Sequence, residues 1–303
     1  TDDLAAITTG AVVNSKQDFD PIDRFLWPNM RFAVSYNGGK WFEPNKYLTD
    51  YFTDEAVAAI QANRHRPFFL FLAHWGVHTP LQASKEDYDA LPQIPEHRRR
   101  VYGAMIRSVD RSVERVMAAL REEGLDDNTL VIFTSDNGAP GYIGLPEVNQ
   151  PYRGWKLTLF EGGVRVPYVA KWPGHIPPGT RYPAPVSNID ILPTVVAAAG
   201  GQLPTDRTLD GVNLLPFLAK DAPAQAARPL YWVDGHYRTV QDQGWKLIVS
   251  ERPQKRWLFH LADDPTEKKN LIDREPAQAQ RLAGLLERHH AGLPAPLWPS
   301  FIE

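Results

Sequence analysis

The stretch Gly124-Leu125-Asp126-Asp127-Asn128-Thr129-Leu130-Val131-Ile132-Phe133-Thr134-Ser135-Asp136-Asn137-Gly138 decides the fold class. Gly124 ends a helical pattern, a short polar turn follows, and a continuous apolar run then passes into a polar loop. An apolar run this short, closed by polar residues, suits a strand covered on both faces, as in a parallel sheet. Upstream, Val101 to Arg121 places Met105, Val109, Val113, Val116 and Leu120 at steps of three and four, which predicts an amphipathic helix. Helix, turn, buried strand and polar loop in that order make an α/β unit.

Working outward, the same grammar recurs. Thr49 to Asn63 carries Ala56, Val57 and Ile60 at helical spacing, and Phe68 to Ala73 is a second apolar run, read as a strand covered on both faces. Val164 to Ala170 reads as a third strand, and Ile189 to Ala199 as a short helix with Asn188 as its cap. Residues 1 to 50 show no periodicity, although Asn37-Gly38-Gly39 signals a hairpin. Beyond a Pro- and Ala-rich stretch at 219 to 229, the runs 230–233, 237–240, 245–249 and 257–261 read as hairpin strands closed by a helix over Ala277 to His289. The expected architecture is α/β: a mainly parallel sheet flanked by helices over residues 1–226, then a small antiparallel subdomain over 227–303.

Composition excludes several function classes. A chain of 303 residues allows two domains or one large one at about 150 residues each. With 33 Lys and Arg against 36 Asp and Glu, the net charge of −3 gives no attraction to a polyphosphate backbone, so no nucleic-acid partner is expected. No apolar run approaches the roughly 18 residues of a spanning helix, so no membrane span is expected. The absence of cysteine removes disulfides, thiolate metal sites and a cysteine nucleophile from this chain. Thr1-Asp2-Asp3-Leu4-Ala5 has neither a basic nor an apolar leader segment, and the sequence is expected to begin partway through a longer protein.

Ligands of open α/β sheets bind beyond the carboxyl ends of strands, and two predicted strands end in polar loops. The first loop carries His74 and His78, whose imidazoles can transfer protons, bind metal, or simply brace the loop. The second carries Asp136 and Asn137, a carboxylate and an amide oxygen suited to a hard cation such as Ca²⁺ or, less well, Mg²⁺, in a sequence that is also an ordinary turn. Arg153 and Lys156 then supply two cations next to Gly162-Gly163, either for an anionic ester or as a solvated pair.

The order and wording of these segments resemble the sulfatase family of the alkaline phosphatase superfamily. The matching pieces are Tyr47-Leu48-Thr49-Asp50, Pro67-Phe68-Phe69-Leu70, His78-Thr79-Pro80, Thr134-Ser135-Asp136-Asn137-Gly138, and Arg153-Gly154-Trp155-Lys156 with Glu161-Gly162-Gly163-Val164-Arg165-Val166-Pro167. The likeness continues through Ile189-Asp190-Ile191-Leu192-Pro193-Thr194, Leu209-Asp210-Gly211-Val212, Trp245-Lys246-Leu247 and Asp264-Pro265-Thr266-Glu267. The resemblance implies sulfate-ester hydrolysis with Asp136 and Asn137 as Ca²⁺ ligands and with His78 and Lys156 as catalytic groups gripping the sulfate. It leaves His74 to substrate contact or loop support and Arg153 to substrate binding. It leans toward periplasmic or secreted use on aryl or carbohydrate sulfates.

One departure from the family matters. Sulfatases attack with a formylglycine made from the first residue of a Cys/Ser-x-Pro-x-Arg motif, and no such motif is present here. Asp2-Asp3 is not the family's first metal pair, because no apolar strand precedes it and no nucleophile motif follows. The expectation is therefore the C-terminal portion of a sulfatase, inactive alone, whose partner is its own missing N-terminal segment. Two alternatives stay open: a metal-dependent phosphodiesterase or phosphonate hydrolase of the same superfamily, and a non-catalytic binder of sulfated glycans.

Overall fold

A computed structural model describes residues 12–15, 33–219, 228–294 and 297. They fall into two units, one comprising Thr1–Thr129 with Tyr142–Leu145 and the other Leu130–Gly141 with Pro146–Glu303. The Asp2-Asp3 pair and the 226/227 boundary lie outside the described residues.

In the first unit, β1 (Val12–Ser15) pairs antiparallel with a later strand, and β2 (Val34–Ser35) with β3 (Trp41–Phe42). The β2–β3 hairpin turns at Asn37 and Gly38, both at positive φ (50° and 71°), as the Asn-Gly-Gly sequence predicts. There follow α1 (Leu48–Asn63), β4 (Leu81–Ser84, the partner of β1), α2 (Lys85–Asp89) and α3 (His97–Glu122). Glu96 caps α3 by accepting from the Arg98 and Arg99 amides. The buried face of α3 runs through Val101, Ala104, Met105, Ser108, Ser112, Ala119 and Leu120, rotated from the expected valine stripe. Two serines enter it because their hydroxyls are satisfied locally: Ser108 donates to the Met105 carbonyl at 2.7 Å, and Ser112 meets Thr53 of α1 at 2.6 Å. Arg111 bridges α3 to Asp50 at 3.0 Å and to Asp87, and Arg115 reaches Asp54 at 2.6 Å.

In the second unit, β5 (Val131–Thr134) pairs antiparallel with β6 (Tyr168–Lys171), Phe133 facing Val169, and the single turn α4 (Glu161–Val164) lies between them in sequence. Short helices α5 (Ile191–Ala198) and α6 (Leu215–Leu218) follow. The chain then forms an antiparallel meander of β7 (Leu230–Asp234), β8 (Tyr237–Asp242), β9 (Trp245–Glu251) and β10 (Gln254–His260). The closing helix α7 (Pro276–Ala291) lays Ala279, Leu282 and Leu286 on Val240, Leu247 and Leu258. Burial of each such leucine stabilises by about 1.5–3 kcal/mol.

Four expectations require correction. The mainly parallel sheet does not form among the described residues, where all paired strands run antiparallel. Among the described residues Phe68 to Ala73 joins no ladder, and Phe69 and Phe71 are 71% and 79% exposed, so no described element covers the run as its sequence calls for. The third strand starts at Tyr168 rather than Val164, because Val164 closes the turn α4 and Pro167 has no amide hydrogen to give a ladder. The cap near Asn188 is Ser187, in a reciprocal capping box with Asp190. Asn188 instead accepts from Thr134 Oγ1 at 3.1 Å and donates to the Ser135 carbonyl at 3.1 Å, bracing the end of β5.

Candidate functional site

The polar loop after β5 is built on glycines. The Gly138 amide donates to the Gly163 carbonyl at 2.9 Å, and a Cβ at Gly138 would collide with the Gly162 carbonyl oxygen. The Gly162 amide donates to the Arg153 carbonyl at 2.6 Å, and a Cβ on Gly162 would meet that same oxygen. Backbone therefore packs on backbone along 136–139, 153–156 and 161–163, which only glycine permits. The Lys156 amide donates to the Ala139 carbonyl at 3.2 Å, and Asn149 exchanges bonds with Ala139, donating to its carbonyl at 2.7 Å and accepting from its amide at 2.9 Å. Asn149 is a loop-holding residue that no local sequence signal reveals.

This framework brings Asp136, Asn137, Arg153 and Lys156 onto adjoining segments of one unit. Asp136 is exposed and Asn137 half-buried. The Asn137 amide nitrogen donates to the Gly138 carbonyl at 2.9 Å, which turns its oxygen into the ligand-type atom. One carboxylate and one amide oxygen fit a hard cation, but Ca²⁺ takes about six to eight oxygens. Among the described residues no group of three or more His, Asp or Glu side chains could hold a metal ion, so this pair does not by itself make a metal site. The Arg153 guanidinium stacks 4.1 Å over Phe160 and donates to the Glu267 carbonyl at 3.2 Å, so part of its binding capacity is already engaged.

His74 and His78 belong to the other unit. The His78 Nδ1–H donates to the Thr79 carbonyl at 2.8 Å, which fixes the tautomer and assigns Nε2 the lone pair in the neutral ring. His74 Nε2 lies 2.8 Å from Ser112 Oγ. Thr53 Oγ1 lies 2.6 Å from both the Thr49 carbonyl and Ser112 Oγ. All three contacts are satisfied when Thr53 donates to Thr49, Ser112 to Thr53, and His74 Nε2–H to Ser112. Burial holds the His74 pKa below its usual 6.5 and favours the neutral ring. The sequence carries no signal for this pairing: Ser112 reads as a polar interruption of a helical face, and Thr53-Asp54-Glu55 reads as a helix start although Thr53 lies inside α1.

Comparison with known proteins now decides the family. A family model described as Sulfatase matches residues 7–201, and one described as N-sulphoglucosamine sulphohydrolase, C-terminal, matches 153–290. The chain belongs to the sulfatase family. It is 37% identical over 221 residues to the steryl-sulfatase of Rattus norvegicus, covering 70% of this chain and 36% of that protein. It is 38% identical over 230 residues to the N-acetylgalactosamine-6-sulfatase of Homo sapiens, covering 72% and 42%. The chain thus spans less than half the length of these curated relatives. Among solved structures, that of Ps i-CgsB superposes with a TM-score of 0.81 at 30% identity, over 95% of this chain and 66% of that one. The same protein was also solved in complex with k-i-k-neocarrahexaose. A phosphonate monoester hydrolase from Silicibacter pomeroyi shares the fold at a TM-score of 0.64 and 22% identity, over 80% of this chain and 60% of that one. The sulfatase core and its antiparallel C-terminal sheet are thereby shown. No described helix is long and apolar enough to cross a membrane.

Proposed function

We propose that this chain is the C-terminal portion of a hydrolase of sulfate monoesters, acting on aryl or carbohydrate substrates. Residues 1–226 are read as part of the catalytic domain and 227–303 as a C-terminal subdomain. The self-contained core of Val240, Leu247, Leu258, Leu282 and Leu286 supports that division. The observation that carries the functional reading is the glycine-locked junction of the Asp136–Asn137 loop with the Lys156 segment, lying within the sulfatase match.

A sulfate monoester is an anion whose cleavage needs fixed positive charge around its oxygens and a proton for the leaving group. In this reading Lys156 holds a sulfate oxygen as a point charge, and Arg153 adds a second cation. His78, with Nδ1–H tied to Thr79, presents Nε2 as the atom that takes up a proton and passes it to the leaving group. His74 supports its loop through Ser112 or touches substrate. Asp136 and Asn137 would hold Ca²⁺ together with ligands from elsewhere, and the bound ion would supply Lewis-acid charge. The nucleophile, a formylglycine, is assigned to a segment outside these 303 residues. The absence of cysteine and the exposure of the Phe69 and Phe71 side chains, on a run whose sequence expects cover, support that assignment.

The test uses 4-nitrophenyl sulfate with Ca²⁺. The 303-residue chain is expected to show no turnover, and clear turnover would overturn the fragment reading. The longer polypeptide encoded with the sequence upstream of Thr1, matured to formylglycine, is expected to hydrolyse the ester. Its failure on both 4-nitrophenyl sulfate and a sulfated oligosaccharide would overturn the sulfatase reading.

A further inference from the structure

Three motif residues without a catalytic role meet inside the second unit. Lys246 of β9 is fully buried, with Nζ 2.8 Å from Glu161 Oε1 and 3.0 Å from Glu267 Oε1. Glu161 and Glu267 are themselves 3% and 0% exposed. Glu267 Oε2 accepts from the Glu161 amide at 2.7 Å, and Arg165 approaches Glu161 Oε2 at 3.4 Å. Glu267 adopts a positive φ of 56°, a conformation that a non-glycine residue holds only when its surroundings fix it.

The anchored residue, Glu161, opens α4. The next two residues, Gly162 and Gly163, are those bonded to Arg153 and Gly138, and the Lys156 amide is tied to the same framework through Ala139. A buried ammonium from the C-terminal sheet thus terminates, within a few backbone bonds, at both the Asp136–Asn137 loop and the Lys156 segment. Burying three charges for stability alone gains little over apolar packing, so a cluster of this kind is better explained by the geometry it imposes.

We propose that Lys246 and Glu267 are positioning residues of the sulfate site, acting through Glu161 to fix α4 and the two loops hung on it. The inference rests on the sulfatase reading of Asp136, Asn137 and Lys156. It gives the C-terminal sheet a part in catalysis without contact to substrate.

The experiment compares Glu267→Ala, Lys246→Met and the conservative Glu267→Gln with the parent. Glu267→Ala removes the acceptor of the Glu161 amide while leaving a balanced Lys246–Glu161 pair. In the 303-residue chain, the Gly138, Lys156 and Gly162 amides are expected to exchange at least about tenfold faster in Glu267→Ala and Lys246→Met, with the β8–β9–β10 ladder amides within about threefold of parent. Glu267→Gln, which keeps an acceptor oxygen, is expected to stay within about threefold throughout. In the longer, matured polypeptide, kcat/KM for 4-nitrophenyl sulfate per folded molecule is expected to fall about tenfold in Glu267→Ala and to return in Glu267→Gln.

The proposal is overturned if loop and ladder amides accelerate together or not at all. It is equally overturned if the rate lost in Glu267→Ala matches the loss of folded molecules measured by circular dichroism, leaving kcat/KM per folded molecule at the parental value. Should Lys246→Met fail to fold, the Glu267 pair decides. A Glu267→Ala chain that fails to fold while Glu267→Gln folds also overturns it, since the triad would then serve the fold at large. If the matured parent hydrolyses no sulfate ester, the sulfatase reading falls, while amide exchange still decides the anchoring.

Discussion

Arg228 Nη2 lies 2.5 Å from both carboxylate oxygens of Asp190, a fully buried side chain at the entrance to α5. The same carboxylate accepts from the Ser187 and Val212 amides at 2.8 and 2.9 Å, so it joins three separated segments of chain. Asp190→Ala takes the acceptor from two amides and leaves the half-buried guanidinium the Asp210 carbonyl at 3.3 Å in place of a carboxylate. The expected loss is about 3–5 kcal/mol, seen as a large drop in Tm. A drop of only a degree or two would show that solvent replaces the lost partners.

Gly138→Ala tests the loop framework. The added Cβ has no room against the Gly162 carbonyl oxygen, and a backbone atom cannot rotate away as a side chain would. The two segments are expected to separate, exposing the backbone after Arg153 and Lys156. Limited trypsin digestion should cut there about tenfold faster than in the parent, if local opening governs cleavage. An unchanged digestion rate would mean that the close contact is not needed.

The sequence displays its local grammar well and its long-range pairing poorly. Helices α1, α3 and α7 follow from apolar spacing, and the β7–β10 meander from short alternating runs between turn residues, because both signals are intrachain periodicities. Phe68 to Ala73 carries the composition of a doubly covered strand, yet composition cannot name the partner that pairs with it. The candidate loops were legible as residue types at strand ends. What holds them was not. Asn149, Ser112, Thr53 and the Lys246–Glu161–Glu267 triad link positions as much as 106 residues apart, and no single-chain spacing rule reaches that far.

His74 should give the first unit a defined acid sensitivity. Burial holds its folded pKa below 6.5, so above that value both folded and unfolded states keep the ring neutral and nothing is lost. As pH falls through 6.5 the unfolded chain takes up a proton that the folded chain refuses, and stability declines until the folded pKa is passed. His74→Gln removes that slope. Urea titrations of parent and variant between pH 7.5 and about 5 should converge at the acid end, if the ring titrates as linkage requires. Parallel curves would place His74 in an unperturbed environment.

Lys156 tests the chemistry most directly. Its amide is fixed to the Ala139 carbonyl on the loop carrying Asp136 and Asn137, which holds its backbone beside that loop. An interaction that strengthens as charge gathers on the ester oxygens lowers the barrier more than it tightens substrate binding. Lys156→Ala in the matured, longer polypeptide should therefore lower kcat/KM for an aryl sulfate by about 10²–10³-fold, mostly through kcat. Lys156→Arg should restore little, because a broad planar guanidinium does not substitute for a compact point charge on a glycine-packed loop. Asp136→Asn should act differently, raising the Ca²⁺ concentration needed for half-maximal rate, since it removes the charged member of the oxygen pair. If Lys156→Ala retained near-parental kcat/KM while the loop amides stayed protected, the ammonium would have no part in the reaction, and the anion site would have to be sought among other cations.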